Sequence, residues 1–160
     1  MALSCFTCHS GCKQLAGRLE GKVREGNSLS IALGKLLQSC TFPGLSLEFL
    51  LRENERPLPE NLVGELVNCS REGITNAVKH GKAQRIDLVL LYGKKQIILL
   101  LADNGSGCRH CCPGNGLGLM RSGLDAFDGS LTVWSEPGEG FQLTLRVPYP
   151  AEQSFVTAKG

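Results

Sequence analysis

Between residues 28 and 148 the apolar positions fall into blocks that alternate between helical and strand periods. Leu29, Leu33, Leu36 and Leu37 recur at helical spacing behind Asn27 or Ser28, either of which can cap a helix. After the turn at Pro43-Gly44, residues 45–51 read as a strand. Pro57 and Pro59 open the strongest helix in the chain, predicted over 60–80, with Gly81 placed to end it. Two apolar strands follow, at 85–92 and 95–103, joined by a tight turn at Gly93-Lys94. A loop rich in glycine and cysteine, 104–115, leads to a helix at 116–127. Asp128-Gly129 then passes into a hairpin of strands at 130–135 and 140–148. This order predicts an α+β fold, a two-layer α/β sandwich with helices packed on one face of a mixed, mainly antiparallel sheet.

Residues 1–26 read differently. Cys5, Cys8, Cys12, Leu15 and Leu19 alternate at spacings of three and four, the seam of a paired helix, while Gly11, Gly17 and Gly21 weaken any helix there. The chain therefore divides into an N-terminal segment (1–26), one compact domain (27–150) and a short tail (151–160). With 42% hydrophobic and 20% charged residues, the composition suits a soluble domain with a real core. A formal charge of +2 and the lack of a basic stripe interleaved with aromatics make nucleic acid an unexpected partner. The longest apolar run, 96–102, is strand length, and the N-terminus lacks the basic-then-apolar order of a signal peptide. The expectation is a cytoplasmic chain without membrane contact, whose eight cysteines stay reduced.

Three constellations carry candidate chemistry. On the long helix, at about 100° per residue, Val63, Leu66, Val67, Ile74, Ala77 and Val78 gather on one side. Glu72, Asn76, Lys79 and His80 form a polar stripe opposite. Most such stripes are plain solvated faces. This one combines a carboxylate that can act as a base, an amide oxygen suited to magnesium, and an ammonium able to reach phosphate. The second constellation, Asp103-Asn-Gly-Ser-Gly107, sets a carboxylate at the end of an apolar strand before a glycine turn; alone it reads as an ordinary turn. The third, Gly114-Asn-Gly-Leu-Gly-Leu119, opens a helix with glycines that allow backbone amides to approach a phosphate. It is neither a dinucleotide fingerprint, since no βαβ unit surrounds it, nor a P-loop, since no Lys-Ser or Lys-Thr follows.

Taken together, the order and spacing resemble the nucleotide-binding boxes of the ATPase superfamily shared by gyrase, heat-shock chaperones, sensor histidine kinases and mismatch-repair proteins. Residues 71–80 resemble the asparagine box of histidine kinases, 103–107 their first glycine box and 114–119 their second. Residues 129–141 resemble the kinases' closing hairpin. The resemblance spans 28–148 and implies the ATP-binding catalytic domain of a bacterial two-component sensor histidine kinase. It implies that Glu72 helps activate the phosphate acceptor and that Asn76 supplies an oxygen to magnesium. Lys79 and His80 would lie near the phosphates, and Asp103 would accept a hydrogen bond from the adenine amino group. Gly105 and Gly107 would shape the adenine pocket, and Gly114, Gly116, Leu117 and Gly118 would form the lid over the phosphates. No phenylalanine box lies between the glycine boxes. Residues 115–131 match the subfamily whose response regulators carry helix-turn-helix output domains.

One departure stands out. Such kinases phosphorylate a histidine followed by an acidic residue, whereas His9, His80 and His110 precede Ser10, Gly81 and Cys111. Residues 12–26 resemble the tail of a dimerising region, so the chain is expected to bind ATP and magnesium and to serve a histidine on a separate dimerisation domain, which then passes phosphate to a response regulator. An anti-sigma-factor serine kinase is the alternative, since residues 76–81 fit that class too; a non-catalytic ATP-binding module is a third reading. The cysteines remain open. Cys5, Cys8 and Cys12 form one cluster with His9, and Cys108, Cys111 and Cys112 another with His110. Their spacing is compatible with zinc or an iron–sulfur site, though neither cluster supplies four cysteines, and reduced thiols are the plainer reading.

Overall fold

The computed structural model describes residues 6–7, 28–109 and 115–150. In chain order the elements are β1 (Phe6–Thr7), α1 (Leu29–Ser39), β2 (Ser46–Arg52), α2 (Glu60–Lys79), β3 (Arg85–Tyr92), β4 (Gln96–Asp103), α3 (Asn115–Asp125), β5 (Ser130–Ser135) and β6 (Phe141–Pro148). Among the described residues the strands form one six-stranded sheet in the order β1-β2-β3-β4-β6-β5. Only β2 and β3 run parallel among the described residues; every other neighbouring pair is antiparallel. The predicted α+β arrangement is thus the observed one.

Side chains alternate between the two faces of each strand, and the register lines up one apolar set across the sheet. Leu88, Leu101 and Leu143 are cross-strand neighbours, as are Leu90, Leu99 and Leu145, and Tyr92, Ile97 and Val147. All nine are buried beneath the helices. From the helical side come Leu29 and Leu33 of α1, Leu62, Leu66 and Ile74 of α2, and Met120 and Leu124 of α3. Burying a leucine or isoleucine stabilises by about 2 kcal/mol, so this shared core is what holds three otherwise marginal helices to the sheet.

The helix ends show where local signals succeed and where they mislead. Ser28 caps α1 as expected, its hydroxyl accepting from Ile31 N at 3.2 Å. At the other end of α2, Gly81 lacks the left-handed conformation expected of a terminating glycine; Lys82 takes it instead, at φ 51°. Gly81 is needed for a different reason: a Cβ there would lie 2.8 Å from the carbonyl oxygen of Ala77. Helix α3 begins at Asn115 and ends at Asp125, two residues short of the predicted stop. Asp128, at φ 54°, turns the chain, and Gly129 N returns to Leu124 O at 2.9 Å. Within the N-terminal segment read as helical, Phe6–Thr7 is a two-residue strand beside β2, and the proposed helix seam otherwise lies outside the described residues. No helix among the described residues is long and apolar enough to cross a membrane.

Candidate functional site

The three sequence constellations converge on the C-terminal half of α2. Glu72 and Asn76 are half-buried on that helix, whereas Lys79 and His80 are exposed at its end. Among the described residues the side chains of Glu72 and Asn76 make no hydrogen bond, so their oxygens stand available. Both are hard oxygen donors one helical turn apart, which is the donor chemistry that magnesium takes; on this observation the residues fit that ion.

The loop after β4 is pinned beneath the end of α2. Ser106 N donates to Gly81 O at 2.8 Å, and Asn104 Oδ1 accepts from Gln84 N at 2.9 Å and Arg85 N at 2.8 Å. On its other side the loop meets the β5–β6 hairpin. Gly138 N donates to Ser106 O at 2.7 Å, while Ser135 Oγ accepts from Cys108 N at 2.9 Å and donates to Gly140 O at 2.6 Å. There is no room for side chains at this junction. A Cβ at Gly105 would lie 2.5 Å from Gly81 O, one at Gly107 would overlap the carbonyl of Glu136, and one at Gly140 would overlap that of Asp103. Gly107 and Gly140 also hold φ values of 62° and 80°, which L residues rarely adopt. Asn104, Ser135 and Gly140 were not singled out as site residues from the sequence. Their contribution is to hold the loop, and it depends on distant partners such as Gln84, 20 residues from Asn104, and Asp103, 37 residues from Gly140.

Asp103 stands at the carboxyl end of β4, half-buried, with its Oδ1 accepting from Gly105 N at 2.7 Å. Burial pushes its carboxyl above the usual aspartate range, partly opposed by hydrogen bonds from the backbone N–H groups of Gly105 and Phe141. A half-buried carboxylate with an oxygen to spare can accept a further hydrogen bond.

Helix α3 completes the convergence from the other side. Gly116 lies against Glu72, so that a Cβ there would come within 2.5 Å of Glu72 Oε1. Leu117 packs against the core, and Gly118 faces open space. Gly114 lies outside the described residues, as do Cys5, Cys8, Cys12, Cys111 and Cys112. Cys108 is disulfide-bonded. This corrects the expectation of reduced thiols there, and a sulfur so bonded offers no thiolate to a metal.

A cleft of about 410 Å³ lies at the far end of the sheet beside Tyr92, Gly93 and Lys94. Glu55, which lines it, accepts hydrogen bonds from Ser28 Oγ (2.9 Å), Ser30 N (3.0 Å), Ser30 Oγ (2.7 Å) and Tyr92 OH (3.2 Å). None of the three constellations reaches this end.

No family model matches the chain. Among curated proteins, the signal transduction histidine-protein kinase/phosphatase UhpB of Salmonella typhimurium is 28% identical over 141 residues, covering 86% of this chain and 28% of that protein. The sensor histidine kinase DesK of Bacillus subtilis is 33% identical over 107 residues, covering 62% of this chain and 28% of its own length. The chain thus spans little more than a quarter of these relatives. Among solved structures, the ATP binding domain of PrrB from Mycobacterium tuberculosis aligns with a TM-score of 0.59 and 23% identity, covering 78% of this chain and 96% of that one. The histidine kinase domain of the Erythrobacter litoralis blue-light activated kinase aligns with a TM-score of 0.65 and 17% identity, covering 76% and 61%. At such identities the structural likeness shows the fold.

Proposed function

From a chain whose homologues are sensor histidine kinases and whose fold is that of the histidine kinase ATP-binding domain, we propose that it binds ATP with magnesium and serves as the catalytic domain of such a kinase. The γ-phosphate would go to a histidine on a dimerisation domain, and from there to a response regulator. The observation that carries the reading is the convergence on α2: Asp103 and its glycine-walled loop on one side, Gly116 and the start of α3 on the other, Glu72 and Asn76 between.

In this reading the base lies against Asp103, whose oxygen accepts from the adenine amino group. Asn76 Oδ1 would hold magnesium, which when bound neutralises phosphate charge. The N-terminal amides of α3, with Lys79 at the edge, would face the phosphates. Glu72, beside that helix end, is suited to accept a proton from the incoming imidazole as its other nitrogen takes the phosphoryl group and ADP leaves.

Calorimetric titration of the whole chain tests this. Wild-type protein should bind ATP saturably and more tightly when magnesium is present. Asn76→Ala should bind ATP with one affinity whether or not magnesium is added, the wild-type enhancement, on the order of tenfold for one lost ion contact, having gone. A folded wild-type chain that takes up no ATP would sink the reading.

A further inference from the structure

The first turn of α3 serves the proposed site, yet the helix runs on for two more turns whose contacts that reading does not use. Gly116 and Gly123 stand seven residues apart, close to two full turns, and therefore share one stripe of α3. Glu65 and Glu72 stand seven apart on α2 in the same way. The two stripes meet. A Cβ at Gly116 would press on Glu72 Oε1, and a Cβ at Gly123 would overlap Glu65 Oε1 and crowd its Cδ. Seven residues forward along α2 correspond to seven back along α3, so the helices pass antiparallel with each carboxylate lying over a glycine notch. Gly118, on the opposite side of α3, has nothing within 4 Å of its Cβ position.

Glu65 is held on its other flank. Cys69 Sγ donates to Glu65 Oε1 at 3.7 Å, and burial, with the nearby Glu65 charge, pushes that thiol up to about 12. The thiol therefore stays protonated at neutral pH and remains a donor. Met120 and Leu124, both buried, tie the same length of α3 to the core.

The geometry points to Glu65 and Gly123 as positioning residues for the nucleotide site, an inference that rests on the reading of that site given above. The carboxylate seated over Gly123 sets how closely the distal half of α3 rests on α2. Because α3 is one continuous helix of 11 residues, its seating at Gly123 governs where Gly116 stands against Glu72, and hence where the first-turn amides point. A methyl group at 123 cannot share the space of Glu65 Oε1, and Cys69 restricts the carboxylate's retreat on that side. The glutamate is the flexible end of a long side chain, so the chain still folds while the spacing of the two helices changes.

Three forms of the full chain, wild type, Gly123→Ala and Gly123→Ala with Glu65→Ala, should be compared by Mg-ATP titration, thermal melting and amide hydrogen exchange over residues 119–122, whose N–H groups bond back to the first turn. Gly123→Ala should bind Mg-ATP on the order of tenfold more weakly, a size usual for coupled neighbours. Its melting temperature should not fall, because alanine is the better helix former. Exchange at 119–122 should quicken. Adding Glu65→Ala empties the contested space and should return both affinity and exchange to near wild type. Unchanged affinity and exchange in Gly123→Ala would overturn the inference, as would a melting temperature that drops in step with affinity, or a double variant worse than the single. If the wild type binds no ATP, the nucleotide reading fails; exchange at 119–122 then decides by itself whether the distal contact governs the first turn.

Discussion

Replacing Asp103 with asparagine should remove ATP binding while leaving the chain at least as stable as before. Asparagine keeps an oxygen that can accept from Gly105 N, as Asp103 Oδ1 does at 2.7 Å. It loses the negative charge, and its amide NH₂ would face the adenine amino group donor to donor. Losing a charge-assisted hydrogen bond and gaining a repulsive contact should weaken affinity about a hundredfold or more. The stability side follows from the direction of the pKa shift. Burial raises the Asp103 carboxyl above its ordinary range, so the folded chain holds that proton to higher pH than the unfolded chain. The stability this contributes is fully present below the ordinary aspartate range and is lost as pH rises through the raised folded value. At pH 7.5 the wild type therefore carries a half-buried ionised group that asparagine would replace with a neutral one. Melting curves of Asp103→Asn should match or exceed wild type at pH 7.5, with the advantage shrinking on acidification. Wild-type ATP affinity should also decline as the carboxyl protonates. A variant that binds ATP as wild type does would show that the base is read elsewhere.

The second large effect lies at the other end of the sheet and concerns stability alone. Glu55→Ala should destabilise the chain by about 3 kcal/mol, since charge-assisted hydrogen bonds contribute about 1.5–3 kcal/mol each and several share this carboxylate. The variant leaves the hydroxyls of Ser28, Ser30 and Tyr92 and the Ser30 N–H without it. Ser28 and Ser30 are almost wholly buried, at 1% and 2% exposure, so water cannot easily replace what is lost. Burial, reinforced by the Glu55 charge, pushes the Tyr92 hydroxyl well above the usual tyrosine range, which keeps it a neutral donor. Urea denaturation should show the midpoint falling with little change in slope. Mg-ATP affinity of the folded fraction should be unchanged, because the cluster is remote from α2's C-terminal half. A loss below about 1 kcal/mol would mean that water satisfies these groups without the carboxylate.

Much of the fold was legible from residue order because burial imposes a period on it. The strands alternate since one face of the sheet carries the core, and α1 shows Leu29, Leu33, Leu36 and Leu37 since one stripe of that helix does. Ser28 was legible as a cap because a cap bonds within three residues. The two glycine boxes and the polar stripe of α2 could be read because each lies within a few consecutive residues. Gly81 was misjudged because two different demands select glycine: a left-handed φ and a close carbonyl. Only the packing around the residue tells them apart.

What the sequence by itself determined is therefore local: which segments are helix or strand, which side of each faces the core, and where carboxylates and glycines sit in short motifs. The tertiary structure alone decided the parallel pairing of β2 with β3, the pinning of the 103–107 loop by Ser135 and the hairpin, the Glu55 cluster and the antiparallel meeting of Glu65 and Glu72 with Gly123 and Gly116. Each of those joins residues some 25 to 60 positions apart. Periodicity records only that a side chain is buried or exposed, so the identity of a distant partner leaves no mark until the core has closed and fixed which surfaces touch.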